Sequence, residues 1–310
     1  MLPRTSWTRV VSRGAIRPRV ALLSALAGLA ACGPFATGGP GCRPRTGPEA
    51  LPDEIRESSG VAVSLSHPGV FWTMNDAGAT LYGVTDDGKI VARFPVAAEN
   101  RDWEDLALST CPGRGTCLYI ADLGDNYEER HNLRILRLPE PDPEAGASGR
   151  GDTLRVEKFP VRLPDGPRDI EAMFILPGER IHVVTKGRND PITIYRYPPP
   201  LRSDTVTLEE VQRLTDGSRF LPRQVTGADA SPRGSVVAIR TYESLTFYSV
   251  EATGFLPIEG AVVNLHPLKE PQGEGVGIGL DGLVALTSEG GPAGAHASIT
   301  TFRCRIGGNR

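Results

Sequence analysis

One alternation of apolar and polar positions recurs along the chain. The segments "SSGVAVS" at 58, "WEDLALS" at 103, "IEAMFIL" at 170, "TGADAS" at 226 and "GEGVGIG" at 273 each have a small or acidic residue in their first two positions and continue with a two-residue period. A turn and a second β-rich run follow each copy, and the second run ends in polar residues. A two-residue period indicates strands, so each copy is predicted to be the first strand of a repeated β unit.

Two further runs complete the repeated unit. The third is represented by "LYGVTDD" and "LRILRLP", and the fourth, in four of the five units, by "KIVARFPV" and "TLRVEKFPV". No amphipathic helix interrupts these runs. Short strands joined by turns, four to a unit, predict an all-β β-propeller of four-stranded antiparallel blades. Five blades are expected, or six if two units are merged between 105 and 225; a two-sheet sandwich is the alternative.

The fifth unit lacks its fourth strand. Residues 50–57, "ALPDEIRE", precede the first unit and are predicted to supply it. The last blade would then be closed by strands from both chain ends, which leaves no open sheet edge.

The first 31 residues are typical of a secretory signal rather than of a folded domain. They contain five arginines and no acid, followed by the apolar run "VALLSALAGLAA". The run is too short to span a bilayer comfortably, and "LAAC" at 29–32 resembles a bacterial lipobox. The resemblance implies cleavage before Cys32 and a lipid on its sulfur; an ordinary signal peptide with a chance cysteine is the alternative.

The lipobox sets the expected domain organisation and location. We expect a signal peptide over 1–31, a Gly/Pro-rich tether over 32–49 and a propeller over 50–310. The protein is predicted to be anchored by lipid in the bacterial cell envelope. Gly33 rather than Asp after the cysteine favours the outer membrane, by resemblance to enteric lipoproteins.

Charge excludes one class of partner. Removing the five leader arginines from the 34 lysines and arginines leaves 29 basic against 37 acidic residues. An acidic body argues against nucleic acid, which needs a basic patch. The membrane, through the lipid, and an unidentified ligand or protein are the expected partners, and the chain is expected to be a monomer.

Four further cysteines fit an oxidising compartment. Cys111 and Cys117 flank the turn-rich "PGRGT" and are predicted to pair, and terminal closure would bring Cys42 to Cys304. A zinc site is the alternative; it is disfavoured because no pair has Cys-x-x-Cys spacing.

Several short segments resemble those of a loosely defined group of secreted bacterial β-propellers, described as phytase-like or esterase-like. They include "NDAG" at 75–78, "DWEDLA", "ADLGDN" at 121–126, "DIEAM", "GEG" and "TSEGG". The resemblance implies the propeller fold along most of the chain after residue 50. It implies little about activity, because such functions are tied to sites rather than to the fold.

In an antiparallel blade, the first strand begins on the face where the second strand ends. The heads of the first strands and the ends of the second strands should therefore meet on one face, around the channel. The predicted ring of cation- or ligand-binding acids contains Glu104, Glu171, Glu274, Asp76, Asp122, Asp125 and Glu289. Lys186 and Arg240 are predicted to face an anion beside them.

Two interpretations of the ring remain open. In the first, the glutamates pair with Lys186 and Arg240 and only hold the blades together. In the second, Glu104, Glu171, Glu274 and Asp122 hold calcium, which prefers several oxygen ligands. A cation with Lys186 and Arg240 would suit a phosphate or carboxylate.

Recognisable catalytic motifs are missing from the sequence. It contains no G-x-S-x-G, H-E-x-x-H or P-loop pattern, and His131 is a loop histidine. The favoured function is a lipid-anchored propeller that binds a ligand or partner at the channel mouth. The alternative is a calcium-dependent hydrolase, such as a phosphoesterase or lactonase, that uses the same face.

Overall fold

Five antiparallel sheets form the body of the protein. A computed structural model describes residues 41–149 and 151–306. In blades 1 to 4 the four principal strands follow one another in sequence, whereas blade 5 combines three such strands with the N-terminal segment. The first strands of neighbouring sheets pack against one another around a closed ring. The predicted five-bladed β-propeller is confirmed, and the six-bladed and sandwich alternatives are not observed. The predicted signal peptide, Cys32 and the first part of the tether lie outside the described residues.

The blades follow the chain in order. Blade 1 contains Ser58–Val63, Phe71–Asn75, Thr80–Val84 and Ile90–Pro95. Blade 2 contains Trp103–Cys111, Gly115–Asp122, Leu133–Pro139 and Glu157–Arg162. Blade 3 contains Ile170–Leu176, Arg180–Thr185, Thr193–Arg196 and Glu209–Arg213. Blade 4 contains Val225–Ala230, Val236–Thr241, Ser244–Glu251 and Gly254–Asn264. Blade 5 contains Gln272–Ile278, Leu283–Glu289 and Ser298–Arg303.

Few elements lie outside these strands. Val206–Thr207 adds a parallel edge to blade 2, next to its fourth strand. A short α-helix spans Pro143–Gly146, and single 3₁₀ turns span His266–Leu268, Leu280–Gly282 and Pro292–Gly294. Within the described ranges, no helix has the length and apolar character needed to cross a bilayer.

The N-terminal segment closes blade 5. Arg43–Pro44 and Glu49–Ala50 both pair antiparallel with the third strand, Ser298–Arg303, and Cys42 is disulfide-bonded to Cys304. Closure by both chain ends is therefore confirmed, as are this disulfide and Cys111–Cys117.

Apart from Ala50, the closing strands come from earlier in the chain than residues 50–57, the segment that the sequence predicts. They lie largely within the stretch that was expected to be a tether. Leu51 and Ile55 are instead buried in an apolar cluster with Val61 and Phe71 of blade 1 and Ile299 of blade 5. Their apolar side chains fill the junction between the first and last blades. The segment 51–57 therefore contributes to the fold by packing rather than by strand pairing.

Close approach of the first strands explains the glycines among them. A Cβ atom on Gly60 would lie 2.6 Å from the backbone nitrogen of Leu106, and one on Gly277 would lie 2.8 Å from the carbonyl oxygen of Val61. Neither distance leaves room for a side chain. The alternating glycines of "GEGVGIG" therefore reflect packing of blade 5 against blade 1.

Two buried aspartates connect the first strands of different blades. Asp105 Oδ2 accepts hydrogen bonds from the backbone N–H groups of Met173, at 2.8 Å, and Ala228, at 3.2 Å. Asp229 Oδ2 accepts one from Ile278, at 2.7 Å. Burial raises the pKa of Asp105 well above its usual range and that of Asp229 to about 8. Both side chains link the blades beneath the candidate site.

Candidate functional site

A β-bulge interrupts the pairing of every first strand with the second strand of its blade. The ladder skips the residues that the repeat aligns, namely Ser59, Glu104, Glu171, Thr226 and Glu274. Because a bulge re-aims the side chain of the unpaired residue, one local distortion repeated five times turns these side chains out of the ladder. The face where first strands begin and second strands end is called the mouth face below.

Three carboxylates from blades 2 and 3 converge on the mouth face. One oxygen from each of Glu104, Asp169 and Glu171 lies within 4.8 Å of the other two. Asp169 and Glu171 are buried, and Glu104 is partly buried. We call these three residues the carboxylate cluster. Asp169 Oδ1 accepts a 2.9 Å hydrogen bond from the backbone of Asp125, whereas Asp169 Oδ2 accepts none within the described chain.

Two cationic side chains contact the carboxylate cluster. Lys186 Nζ lies 2.6 Å from Glu171 Oε1 and 3.6 Å from Asp169 Oδ2, and Arg188 lies 3.3 Å from the same oxygen of Asp169. Burial alone would lower the pKa of Lys186, but Glu171 and Asp169 raise it above its usual value. Lys186 therefore carries its positive charge inside a largely buried site.

A second acidic group occupies the junction of blades 1 and 5. It consists of Glu57, Asp76 and Glu289. Burial, then Glu57, raises the pKa of Asp76 to about 7, and burial, then Asp76, raises that of Glu289 to about 7. Asp76 Oδ1 is buried without a hydrogen-bond partner in the part of the chain described. Asp76 and Glu289 can therefore exchange protons near neutral pH.

Glu274 electrostatically connects the two acidic groups. Burial raises its pKa well above the usual value, and Glu171 and Glu289 add repulsion from either side. Burial and Glu171 do the same for Glu104, and burial, followed by Asp169, raises the pKa of Glu171 to about 8. Glu171 therefore influences both of the other repeat-head glutamates electrostatically, and the ligand ring of all three stays a prediction.

Acids outnumber cations on the mouth face. The carboxyl groups are Glu57, Asp76, Asp102, Glu104, Asp169, Glu171, Glu274 and Glu289. Within the described ranges, only Lys186 and Arg188 form ion pairs with them. The remaining negative charge must be reduced by protonation or by a bound cation.

The acids of "ADLGDN" do not join the ring. Asp122 is fully buried, and its two oxygens bind Arg130, at 2.9 Å, and Arg134, at 2.7 Å. Asp125 instead accepts the backbone N–H groups of Glu129 and Arg130 and so shapes the loop. Because their oxygens are used in these contacts, the assignment of Asp122 and Asp125 to the cation or ligand ring is corrected.

The glycine of the same segment lies closer to the site. A Cβ atom on Gly124 would lie 2.2 Å from Glu104 Oε1 and 2.5 Å from Asp102 Oδ2. Any larger residue would therefore displace these carboxylates.

Arg240 also differs from its predicted role. It is fully buried, donates to the carbonyl oxygens of Gly275 and Thr287 at 2.7 and 2.8 Å, and forms an ion pair with Glu270. These contacts direct its guanidinium into blade 5 rather than toward an anion. Gly273 permits the approach, because a Cβ atom there would lie 1.9 Å from the guanidinium.

Sequence reasoning missed three of the acids. Asp169 and Asp102 immediately precede the strands that carry Glu171 and Glu104, within "DIEAM" and "DWED", and Glu57 precedes "SSGVAVS". A rule that included the residue before each strand would have found them. His131 is exposed in its loop, and its side chain makes no hydrogen bond or ion pair with the site residues in the described chain.

Comparison with known proteins supports the fold. No protein-family model and no curated protein matches the chain. Among solved structures, the PQQ-bound aldose sugar dehydrogenase of Streptomyces coelicolor is similar with a TM-score of 0.52 and 10% identity, over 84% of this chain and 97% of that one. Identity this low supports a propeller fold and nothing finer.

Two further solved structures, a sugar dehydrogenase and a gluconolactonase, match with lower TM-scores. The soluble aldose sugar dehydrogenase of Escherichia coli has a TM-score of 0.49 and 10% identity, over 85% of this chain and all of that one. A gluconolactonase of Xanthomonas campestris has a TM-score of 0.43 and 11% identity, over 88% and 98%. Both are similar to this chain in overall form, and neither informs its site.

Proposed function

We propose that the propeller binds a divalent cation, with a preference for calcium, at Glu104, Asp169 and Glu171. We also propose that the mouth face binds an anionic ligand of the cell envelope. The observation that carries the proposal is the convergence of three carboxylate oxygens within 4.8 Å of one another. Two ligands on one calcium ion, each at about 2.4 Å, can lie at most about 4.8 Å apart. The spacing therefore suits a shared ion.

The chemistry of the donors favours a hard cation. All three are carboxylates, and Asp169 Oδ2 lacks a hydrogen-bond donor among the described residues. Calcium takes six to eight oxygen ligands, so three carboxylates leave positions for water and for oxygens of a ligand. Lys186 and Arg188, which adjoin the carboxylate cluster, would attract the same anionic ligand.

Calcium titration of the purified full chain in detergent tests the proposal. Isothermal calorimetry should detect binding to the wild type and to Glu209→Gln, which removes an exposed acid paired with Arg196 in blade 3. Glu171→Gln should lose the binding heat. Saturating calcium at about 100 times Kd should stabilise the wild type by about 2.7 kcal/mol. Failure of the wild type to bind calcium at millimolar concentration would refute the cation site.

A calcium-dependent hydrolase is the second candidate. It is favoured by Asp76 and Glu289, whose pKa values of about 7 suit a general acid or base. A bound cation would polarise an ester or lactone oxygen, while one of these carboxyls would take a proton from water. A panel of lactones and phosphoesters, assayed with and without calcium, tests this candidate. The double variant Asp76→Asn/Glu289→Gln should remove any turnover and leave calcium binding intact.

The location is also a proposal. The leader, its apolar run and "LAAC" support a lipid on Cys32 and attachment to the envelope, with Gly33 favouring the outer membrane. Cys32→Ser should abolish labelling by radioactive palmitate and release the protein from membranes. Membrane fractionation of the unlabelled variant, with otherwise normal processing, would contradict the anchor.

A further inference from the structure

A cavity adjoins the carboxylate cluster between blades 3 and 4. It has a volume of about 600 Å³, and its lining includes Lys186, Arg188, Arg219, Phe220, Leu221 and Tyr242. Most of these residues belong to the turn after the second strand of blade 3 or to the loop 214–224 that leads into blade 4. We call this cavity the blade 3–4 pocket.

The pocket concentrates positive charge beside an acidic ring. Lys186 and Arg188 contact the carboxylate cluster from one side, and Arg219 contributes a third cation. The side chain of Arg219 has no hydrogen bond or ion pair within 41–149 and 151–306. Its backbone is held at both ends, because Arg219 N–H donates to the carbonyl of Gly187 at 2.6 Å and Gln224 donates to the carbonyl of Arg219 at 2.9 Å.

The rim of the pocket is apolar. Phe220 is 90% exposed and Leu221 is 65% exposed, although both are large apolar side chains. Large apolar side chains exposed together beside a cavity mark a contact surface. Tyr242 is partly buried, and its hydroxyl has no hydrogen-bond partner among the described residues, so a donor is available to a ligand.

We propose that the blade 3–4 pocket binds an organic anion that carries an apolar group. The carboxylate or phosphate group lies among Arg219, Arg188 and Lys186, and the apolar group covers Phe220 and Leu221. The free guanidinium offers a two-pronged contact that matches either anion. This inference deepens the proposed function and depends on it only for the face that the ligand approaches.

The surrounding charge favours a small ligand over an anionic bilayer. The eight mouth-face carboxyls lie on the same face of the propeller as the pocket and would repel a continuous anionic surface. A small anion meets the three cations without covering those acids. Inorganic phosphate meets the cations but leaves the apolar rim exposed, so an apolar group on the ligand should strengthen binding.

Naphthyl phosphate and inorganic phosphate are the probes, titrated into the full chain by calorimetry. We expect naphthyl phosphate to bind at least tenfold more tightly than inorganic phosphate. Arg219→Gln should weaken naphthyl phosphate binding roughly tenfold. Phe220→Ser should remove the advantage of the naphthyl group and leave inorganic phosphate unchanged.

Arg223→Gln is the matched control. Arg223 lies four residues further along the same loop, is paired with Glu243 and does not line the pocket. It should bind both probes as the wild type does. Equal weakening by Arg219→Gln and Arg223→Gln would overturn the proposal, as would equal affinity for the two probes. Binding to phosphatidylglycerol vesicles without binding to naphthyl phosphate would replace it with a membrane surface.

Calcium titration separates this inference from the proposed function. Arg219→Gln should bind calcium normally, because Arg219 contacts none of the carboxylate cluster. If naphthyl phosphate binds while calcium does not, the pocket stands and the cation site falls. If calcium binds while naphthyl phosphate does not, the cation site stands and the pocket falls.

Discussion

Lys186 Nζ donates a 2.6 Å hydrogen bond to Glu171 Oε1, and both side chains are buried. The two residues lie on adjacent strands of blade 3, one in the bulge of the first strand and the other just past the end of the second. The contact neutralises one carboxylate of the cluster, and it positions the ammonium group between the cation site and the blade 3–4 pocket.

Loss of Lys186 should destabilise the fold in a pH-dependent way. Lys186→Met leaves Glu171 and Asp169 buried without their ammonium partner, which should cost about 3 kcal/mol of unfolding free energy at pH 8. Protonation of Glu171 relieves part of this cost at pH 5, so the loss there should be smaller. Urea unfolding at both pH values measures the difference, with Lys89→Met, at an exposed lysine, as the control. Equal losses at both pH values would contradict this account.

The protein should lose stability as the pH rises from about 4 to 8. The pKa of Glu171 is raised from 4.5 to about 8, that of Asp229 from 3.8 to about 8, and that of Glu289 from 4.5 to about 7. A carboxyl with a raised pKa holds its proton more tightly in the folded state, so unfolding releases protons across this interval. The unfolding free energy should therefore fall, by on the order of several kcal/mol between pH 5 and pH 8. Stability that rises with pH would show that these carboxyls are ionised in the fold.

Arg240 and Glu270 should behave as a coupled buried pair. Arg240→Met leaves Glu270 buried without its ion-pair partner and leaves the carbonyls of Gly275 and Thr287 without their donor. The unfolding free energy should fall by about 3–5 kcal/mol. Adding Glu270→Gln should restore part of that loss. A double-mutant cycle on unfolding free energy measures the coupling, and strict additivity would show that the ion pair contributes nothing.

The two disulfides should differ in their effect on stability. Cys42–Cys304 spans 262 residues and Cys111–Cys117 spans 6. Because a longer closed loop restricts the unfolded chain more, replacing the first pair by serine should cost about 2–4 kcal/mol, more than replacing the second. Thermal unfolding of the two double-serine variants compares them. A larger loss from the short loop would point to local strand distortion at Gly115–Asp122 instead.

The repeat made the fold readable from the sequence. The five first strands share a two-residue period, and their aligned heads occupy the same bulge in every blade. Closure was inferred correctly but from the wrong residues. Two-residue strands such as Arg43–Pro44 are too short to produce an alternation, so only their pairing with Ser298–Arg303 reveals them.

The partners of the charged residues could not be read in the same way. Arg240 and Lys186 occupy similar positions at the ends of second strands, yet one bonds to Glu270 and the other to Glu171. Which acid each cation contacts depends on the space that Gly273 leaves in blade 5 and on the side chains across the ring. Asp122 likewise forms ion pairs with Arg130 and Arg134. These arginines come later in the chain, and no repeated pattern in the sequence indicates that they pair with Asp122.

The Cys42–Cys304 disulfide also determines how the domain bears mechanical load. Arg43–Pro44 offers only two paired residues at the outer edge of blade 5, and such a short strand would peel away under a weak pull. Cys42 precedes it, so tension applied anywhere upstream passes through the sulfur–sulfur bond to Cys304, which directly follows the strand Ser298–Arg303 inside the sheet. If the N-terminal segment were attached to a surface, drag on the propeller would therefore be borne by this disulfide and would not unzip the last blade.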